Sequence, residues 1–467
     1  MKKLLTIAAV ALMGLAAGAQ NGGITPAMLE QISKGWAGTP ADKALRNAIG
    51  QTPLNTLAIN SENAAMIDTD FSDRVRTMGI TDQKSSGRCW LFSGLNVLRA
   101  AAIQKWDLGD FQFSQNYCFF WDQLEKSNLF LQAVIDTRDK PQDDREVDWL
   151  FSNPIGDGGT FTGVANIVTK YGLVPADVMP ESAVANSTSQ MRTHLATLLR
   201  QDGLKLRGIA AEAGVASLKG AKARKAEAAL ESRLQQEKTA MLAEVYHILA
   251  LCLGVPPTEL EWKGRTVTPL QFYQELLNYD LEGGYVMLMN DPTREYGKVY
   301  EIQYDRHMYD GRNWVYVNLP VERIKEMAIA SIKADVAMYF SCDVGKFLDR
   351  KKGVADLDNY DYSSLLGVDF TMDKRERIIT HASGSSHAMT LIAVDLKEGK
   401  PVKWMVENSW GAASGYQGNI IMTDKWFDEY MFRLVVEKRF VPADVLEMLK
   451  QKPVMLPAWD PMFEPEQ

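Results

Sequence analysis

Asp82-Gln83-Lys84-Ser85-Ser86-Gly87-Arg88-Cys89-Trp90 is the stretch on which the reading of this chain turns. It runs from small polar residues through a glycine into an apolar repeat, Leu91, Leu95, Leu98 and Ala102. Those positions fall at i, i+4, i+7 and i+11, a spacing that predicts a buried helix beginning near Cys89. A thiol in the first turn of a helix lies at the positive end of the macrodipole, where unpaired backbone N–H groups converge. Both effects favour thiolate, and cysteines so placed reach pKa values of about 3.5–7.5. Gln83 carries a side-chain amide that, with the Cys89 N–H, can point at the oxyanion of an acyl-transfer intermediate.

A nucleophilic cysteine needs a base, and the chain offers five histidines. His194 and His247 fall in a charged helical stretch and read as surface residues. His307 sits in a Tyr-rich polar segment without an identifiable partner. His381 and His387 share the segment Thr380-His381-Ala382-Ser383-Gly384-Ser385-Ser386-His387-Ala388-Met389. Of the two, His387 directly precedes an apolar, β-prone run at 389–394, so a rigid element fixes it, whereas His381 lies in a Ser/Gly-rich loop. After the next β-prone run, 402–407, come Asn408-Ser409-Trp410-Gly411. Asn408 can orient the imidazole and Trp410 can cover that hydrogen bond from water. Cys89, His387 and Asn408 then follow the nucleophile, base and orienter logic of a catalytic triad.

Around this constellation the chain divides by composition. Residues 20–75 read as an N-terminal arm, 76–186 as the helical lobe carrying Cys89, and 187–260 as a helical insertion rich in Ala, Glu, Lys, Arg and Leu, with a stripe of Leu234, Met241, Val245 and Ile248. Residues 261–450 read as a β-rich lobe, with an antiparallel sheet built from runs that include 389–394, 402–407, 419–423 and 432–437. Residues 451–467 form a C-terminal arm. The fold class is α+β.

With 467 residues, 46% hydrophobic and 24% charged, the composition excludes collagen-like, disordered and multi-span membrane classes. A net charge of −8 argues against a nucleic-acid partner, and Lys219, Lys222, Arg224 and Lys225 read as a solvated helix face. Lys2 and Lys3, an apolar run over 4–15 and Ala17-Gly18-Ala19 read as a signal peptide cut after Ala19, which implies an exported protein with no lasting membrane insertion. Cys118, Cys252 and Cys342 are far apart and read as structural thiols, with one disulfide among them left open. No metal or organic cofactor is expected.

Gln83 to Trp90, His387 and Asn408-Ser409-Trp410-Gly411 resemble the papain-type cysteine peptidases. His387 follows Cys89 by 298 residues, against about 130–150 in ordinary papains, and the helical insertion accounts for much of the excess. Lys84 to Trp90, Phe113-Ser114-Gln115-Asn116-Tyr117, Asp157-Gly158-Gly159, Lys170-Tyr171-Gly172 and Leu456-Pro457-Ala458-Trp459-Asp460-Pro461-Met462 are similar to the bleomycin hydrolase / aminopeptidase C branch, here as an exported bacterial member. The resemblance implies a two-lobed papain-like fold, a homohexameric ring, and a C-terminal arm in the cleft whose terminal carboxylate, on Gln467, meets the α-amine of a peptide with a free N-terminus. It also implies that Gly158 and Gly159 line the substrate cleft and that Trp410 lies beside it. The expected activity is that of a cysteine-type aminopeptidase; an ungated endopeptidase and a non-catalytic ring or binding scaffold are the alternatives.

Overall fold

The computed structural model describes residues 22–63 and 67–463; the signal-peptide segment and Gln467 lie outside them. The helix expected at Cys89 runs Cys89–Trp106 and ends on Asp107 in the left-handed conformation, φ 51°. Leu91, Leu95, Leu98 and Ala102 are buried as their spacing requires, but so are Phe92, Val97 and Ile103 on the other faces. The reason is position. The helix packs on the strands His387–Lys397 and Met338–Cys342 on one side and on the helices Phe161–Tyr171 and Gln115–Asp136 on the other. Gly94 makes the closest approach possible, since a Cβ there would stand 2.5 Å from Val164 Cγ2.

Among the described residues the main sheet has twelve strands, and Leu260–Trp262 with Arg265–Val267 forms a separate two-stranded one. From one edge to the other the main path is Val454–Leu456, Val299–Ile302, Val315–Asn318, Tyr285–Met289, Met431–Glu437, Met338–Cys342, His387–Lys397, Lys400–Glu407, Asn419–Thr423, Val354–Ala355 and Leu348–Asp349, with Asp73–Arg74 added beside His387–Lys397. Its centre is antiparallel, and His387 pairs with Cys342. The runs at 389–394, 402–407 and 419–423 pair antiparallel as expected, and the wider sheet adds parallel neighbours. Three pairings are parallel: Val454–Leu456 on Val299–Ile302, Tyr285–Met289 on Val315–Asn318, and Asn419–Thr423 on Val354–Ala355. Period-2 patterning marks a strand but not the direction of its partner, which depends on the connections between distant segments.

Two hydrophobic cores result. One lies among the helices and includes Trp90, Phe119, Phe161 and Leu249; the other, which includes Leu288, Phe340, Leu391 and Phe427, is built on the sheet with the helices Val321–Lys333 and Asp424–Tyr430. The Ala/Glu/Lys/Arg/Leu-rich stretch forms the helices Ser189–Glu212 and Gly220–Leu253, which pack on each other and on Gln115–Asp136. Leu234, Met241 and Val245 are buried, and Leu249 rather than Ile248 continues the stripe. Residues 454–456 of the C-terminal segment form an edge strand, and beyond it Arg433 donates to the Met462 carbonyl at 2.5 Å.

Residues 22–60, with Tyr360–Asp369, form a separate small unit. Its helices Pro26–Ser33 and Pro40–Ile49 each carry proline in the first turn behind a threonine cap. Neither has a buried residue, and Met28, Leu29, Ile32 and Trp36 are exposed. No helix among the described residues is long and apolar enough to cross a membrane.

The Gly94 contact yields a test. Gly94→Ala gains about 1 kcal/mol of helix propensity, but overpacking against branched Val164 costs about 1–3 kcal/mol. The variant is expected to unfold at lower urea with an unchanged slope, and Val164→Ala in the same chain to restore most of the loss. A stabilised single variant would contradict the packing.

Candidate active site

The structure brings Gln83, Cys89, His387 and Asn408 together where the Cys89 helix meets the sheet. Arg88, the residue before Cys89, occupies the N-cap position of the helix and is fully buried. Its guanidinium grips Glu181 with two bonds of 3.1 and 2.8 Å, the Ala185 carbonyl at 2.7 Å and Ser86 Oγ at 2.9 Å. Such a planar fork locks the loop that presents Cys89. The Cys89 sulfur in turn accepts from the Ala388 N–H at 3.4 Å, one residue beyond His387. Thr390 Oγ1 donates to the Ser93 carbonyl at 3.2 Å and so ties the same strand to the same helix.

His387 Nε2 lies 2.8 Å from Asn408 Oδ1. The Ser409 N–H donates to that same oxygen at 2.8 Å, which fixes it as an acceptor. Nε2 of a neutral ring therefore carries the proton, and Nδ1 is the basic nitrogen. The Trp410 ring lies 4.8 Å from the imidazole at 32° and covers this bond, with the Arg350 guanidinium 5.0 Å above the indole. Backbone bonds from Gln83 N–H to the Ser409 carbonyl, 2.8 Å, and from Gly411 N–H to the Thr81 carbonyl, 3.1 Å, splice the loop before Cys89 to the loop after Asn408.

Gln83 is oriented at both ends of its amide. Oε1 accepts from Ser409 Oγ at 2.6 Å and Nε2 donates to the Ser86 carbonyl at 2.7 Å. One of the two amide hydrogens is thus spent on Ser86, and the other is available to an oxyanion.

Of the other thiols, Cys118 is buried, and burial pushes its pKa far above the ordinary range, with Asp122 adding to it. Burial also raises that of Cys252. No cysteine is disulfide-bonded, which closes the option left open for Cys118, Cys252 and Cys342. His194, His247 and His381 are exposed.

Gly158 and Gly159 are buried and line a cavity of about 690 Å³. Ala458, Trp459, Asp460 and Pro461 of the C-terminal segment line it too, with Trp149, Tyr304 and Arg306. The cavity holds one residue that sequence reasoning passed over. His307 is not partnerless: it is buried, and its Nδ1 lies 2.5 Å from the carboxylate of fully buried Asp122. No spacing rule could have found this, because the two residues are 185 positions apart. Among the described residues no group of His, Cys, Asp and Glu is arranged to hold a metal ion.

A family model described as Peptidase C1-like matches residues 23–463. Mouse bleomycin hydrolase is 40% identical over 403 residues, 82% of this chain and 85% of the relative. Aminopeptidase C of Lactobacillus delbrueckii subsp. lactis is 34% identical over 449 residues, 93% of this chain and 96% of the relative. The crystal structure of PepW from Lactobacillus rhamnosis superposes with a TM-score of 0.87 at 34% identity, covering 95% of this chain and 99% of that one.

The geometry around the sulfur predicts selective chemistry. Limiting epoxide or iodoacetamide on the native protein should label Cys89 first by peptide mass mapping, and His387→Ala should slow that labelling. Primary labelling of Cys118 or Cys342 would contradict the site.

Proposed function

Because the chain belongs to the Peptidase C1-like family, we propose that Cys89, His387 and Asn408 are the catalytic triad of a cysteine aminopeptidase. The enzyme class follows from relatives named aminopeptidase C and bleomycin hydrolase, and the observation that carries the triad is the oriented His387–Asn408 bond beside the Cys89 sulfur.

In the proposed reaction His387 Nδ1 takes the thiol proton as the sulfur attacks the scissile carbonyl carbon. The oxyanion is met by the Cys89 N–H and the second Gln83 amide hydrogen. Collapse of the tetrahedral intermediate breaks the C–N bond, and the imidazolium protonates the leaving amine. Water, deprotonated by the same ring, then hydrolyses the thioester and frees Cys89. Asn408 holds the ring in the required tautomer, and Trp410 keeps water off the bond that does so.

The substrate is a peptide with a free N-terminus. Residues 458–461 reach the cavity lined by Gly158 and Gly159, which supports a C-terminal arm that delivers the Gln467 carboxylate to the substrate α-amine. We further propose export through the residues 1–19 signal and assembly into a homohexamer; the exposed Met28, Leu29, Ile32 and Trp36 support association between copies.

Two measurements follow. The mature chain should release a fluorogenic amine from a free-amino aminoacyl substrate far faster than from its N-acetyl twin, and Cys89→Ser should abolish turnover without loss of the folded state. Equal rates on the twins would favour an endopeptidase, and no turnover of either by reduced wild-type protein would favour a binding scaffold. By light scattering the full chain should have six times the protomer mass, and a monomer would refute the ring.

A further inference from the structure

Beneath the Gly158–Gly159 segment lies a buried polar network that the proposed reaction does not use. His307 donates or shares its Nδ1 proton with Asp122 Oδ1 at 2.5 Å. The other Asp122 oxygen receives Lys126 Nζ at 2.9 Å and Gln123 Nε2 at 3.0 Å. Both of those donors also reach the glycine segment: Lys126 Nζ lies 3.0 Å from the Gly156 carbonyl and 2.7 Å from that of Gly158, and Gln123 Nε2 is 3.0 Å from the Gly156 carbonyl.

The imidazole itself is a wedge. A Cβ at Gly159 would stand 2.2 Å from His307 Cε1, and one at Gly163 2.3 Å from the same atom, so the ring lies flush against backbone at both glycines. Its edge meets Trp90 at 4.6 Å and 65°. Trp90 follows the nucleophile, and its Nε1 donates to the Asp157 carbonyl at 2.7 Å. Lys126, Gln123 and Trp90 thus hold the carbonyls of Gly156, Asp157 and Gly158, and the His307 ring packs against Gly159.

We infer that the Asp122–His307 pair, with Lys126, is a positioning device that sets the 156–159 backbone as the binding rail for an extended peptide next to Cys89. The inference rests on the peptidase reading and adds the residues that fix its substrate cleft. Burial, then Lys126, holds the imidazole pKa below its usual range, with Asp122 opposing. Burial would raise the Asp122 carboxyl, but Lys126 first and His307 next outweigh it and leave it low. Bonded to each other and walled in by Gly159 and Gly163, the two side chains form a fixed support under the segment. Breaking it leaves a buried charge or an empty slot under two glycines, either of which lets the rail move.

The test compares His307→Ala and Lys126→Met with wild type in full-length enzyme. Lys126→Met removes the bonds to both glycine carbonyls without touching the ring, so it remains informative if His307→Ala does not fold. KM for a free-amino tripeptide amide should rise about tenfold or more while kcat stays within about threefold. Iodoacetamide alkylation of Cys89, which needs no rail, should keep its wild-type rate. His307→Gln, which can still donate to Asp122, should recover part of the loss. In a Cys89→Ala background the same substitutions should weaken Kd for the tripeptide in parallel, a readout that stands even if wild type proves inactive. Unchanged KM and Kd in folded Lys126→Met would overturn the inference, whereas missing wild-type turnover with an intact Kd effect would overturn only the peptidase reading.

Discussion

The Cys89 sulfur and the Ala388 N–H meet at 3.4 Å, and the site depends on this contact between a helix end and a strand end. The helix presents Cys89 in its first turn, and the strand presents His387 as its first residue. Neither element can shift by half a turn or one register position without separating them. A one-residue slip of the strand would send His387 to the opposite face of the sheet, and the His387–Cys342 pairing prevents it.

A second tie joins the same helix to the neighbouring strand, Lys400–Glu407. Arg99, in the Cys89 helix, meets Glu407, the last residue before Asn408, at 2.5 Å, and both are almost wholly buried. Burial raises the Glu407 carboxyl above its ordinary range even though Arg99 pulls it back. Such a pair adds little net stability, yet removing one partner costs about 3–5 kcal/mol because the other is left charged in the interior. Its value here is positional: it sets the distance between the strand that ends at Glu407, just before Asn408, and the helix that begins at Cys89. The Arg88–Glu181 clamp does the same for the loop on the other side of the sulfur. Three anchors thus hold one thiol.

Much of this was legible in the sequence because the chemistry sits at element boundaries. The glycine turn before Cys89, the apolar run after His387 and the strand before Asn408 each mark where a side chain must project, and those marks are local. Gly158 and Gly159 entered only through the resemblance to papain-type peptidases, since a glycine pair by itself marks no more than a turn. The parallel strand pairings and the Asp122–His307 pair were not legible, since both arise from segments brought together only by the fold. His307 in particular looks like a polar loop histidine until Gly159 and Gly163 are seen to make room for its ring. The Gln83 amide was read as an oxyanion donor, but its second commitment, to Ser86, could only come from the folded loop.

The central claim is that Cys89 carries the acyl group. Wild-type enzyme mixed rapidly with excess of an activated free-amino ester and quenched in acid within milliseconds should show a burst of released alcohol. Intact mass should then report one aminoacyl unit per chain, and fragmentation should place it on Cys89. Product release without a burst and without any adduct, or an adduct on another residue, would contradict the account.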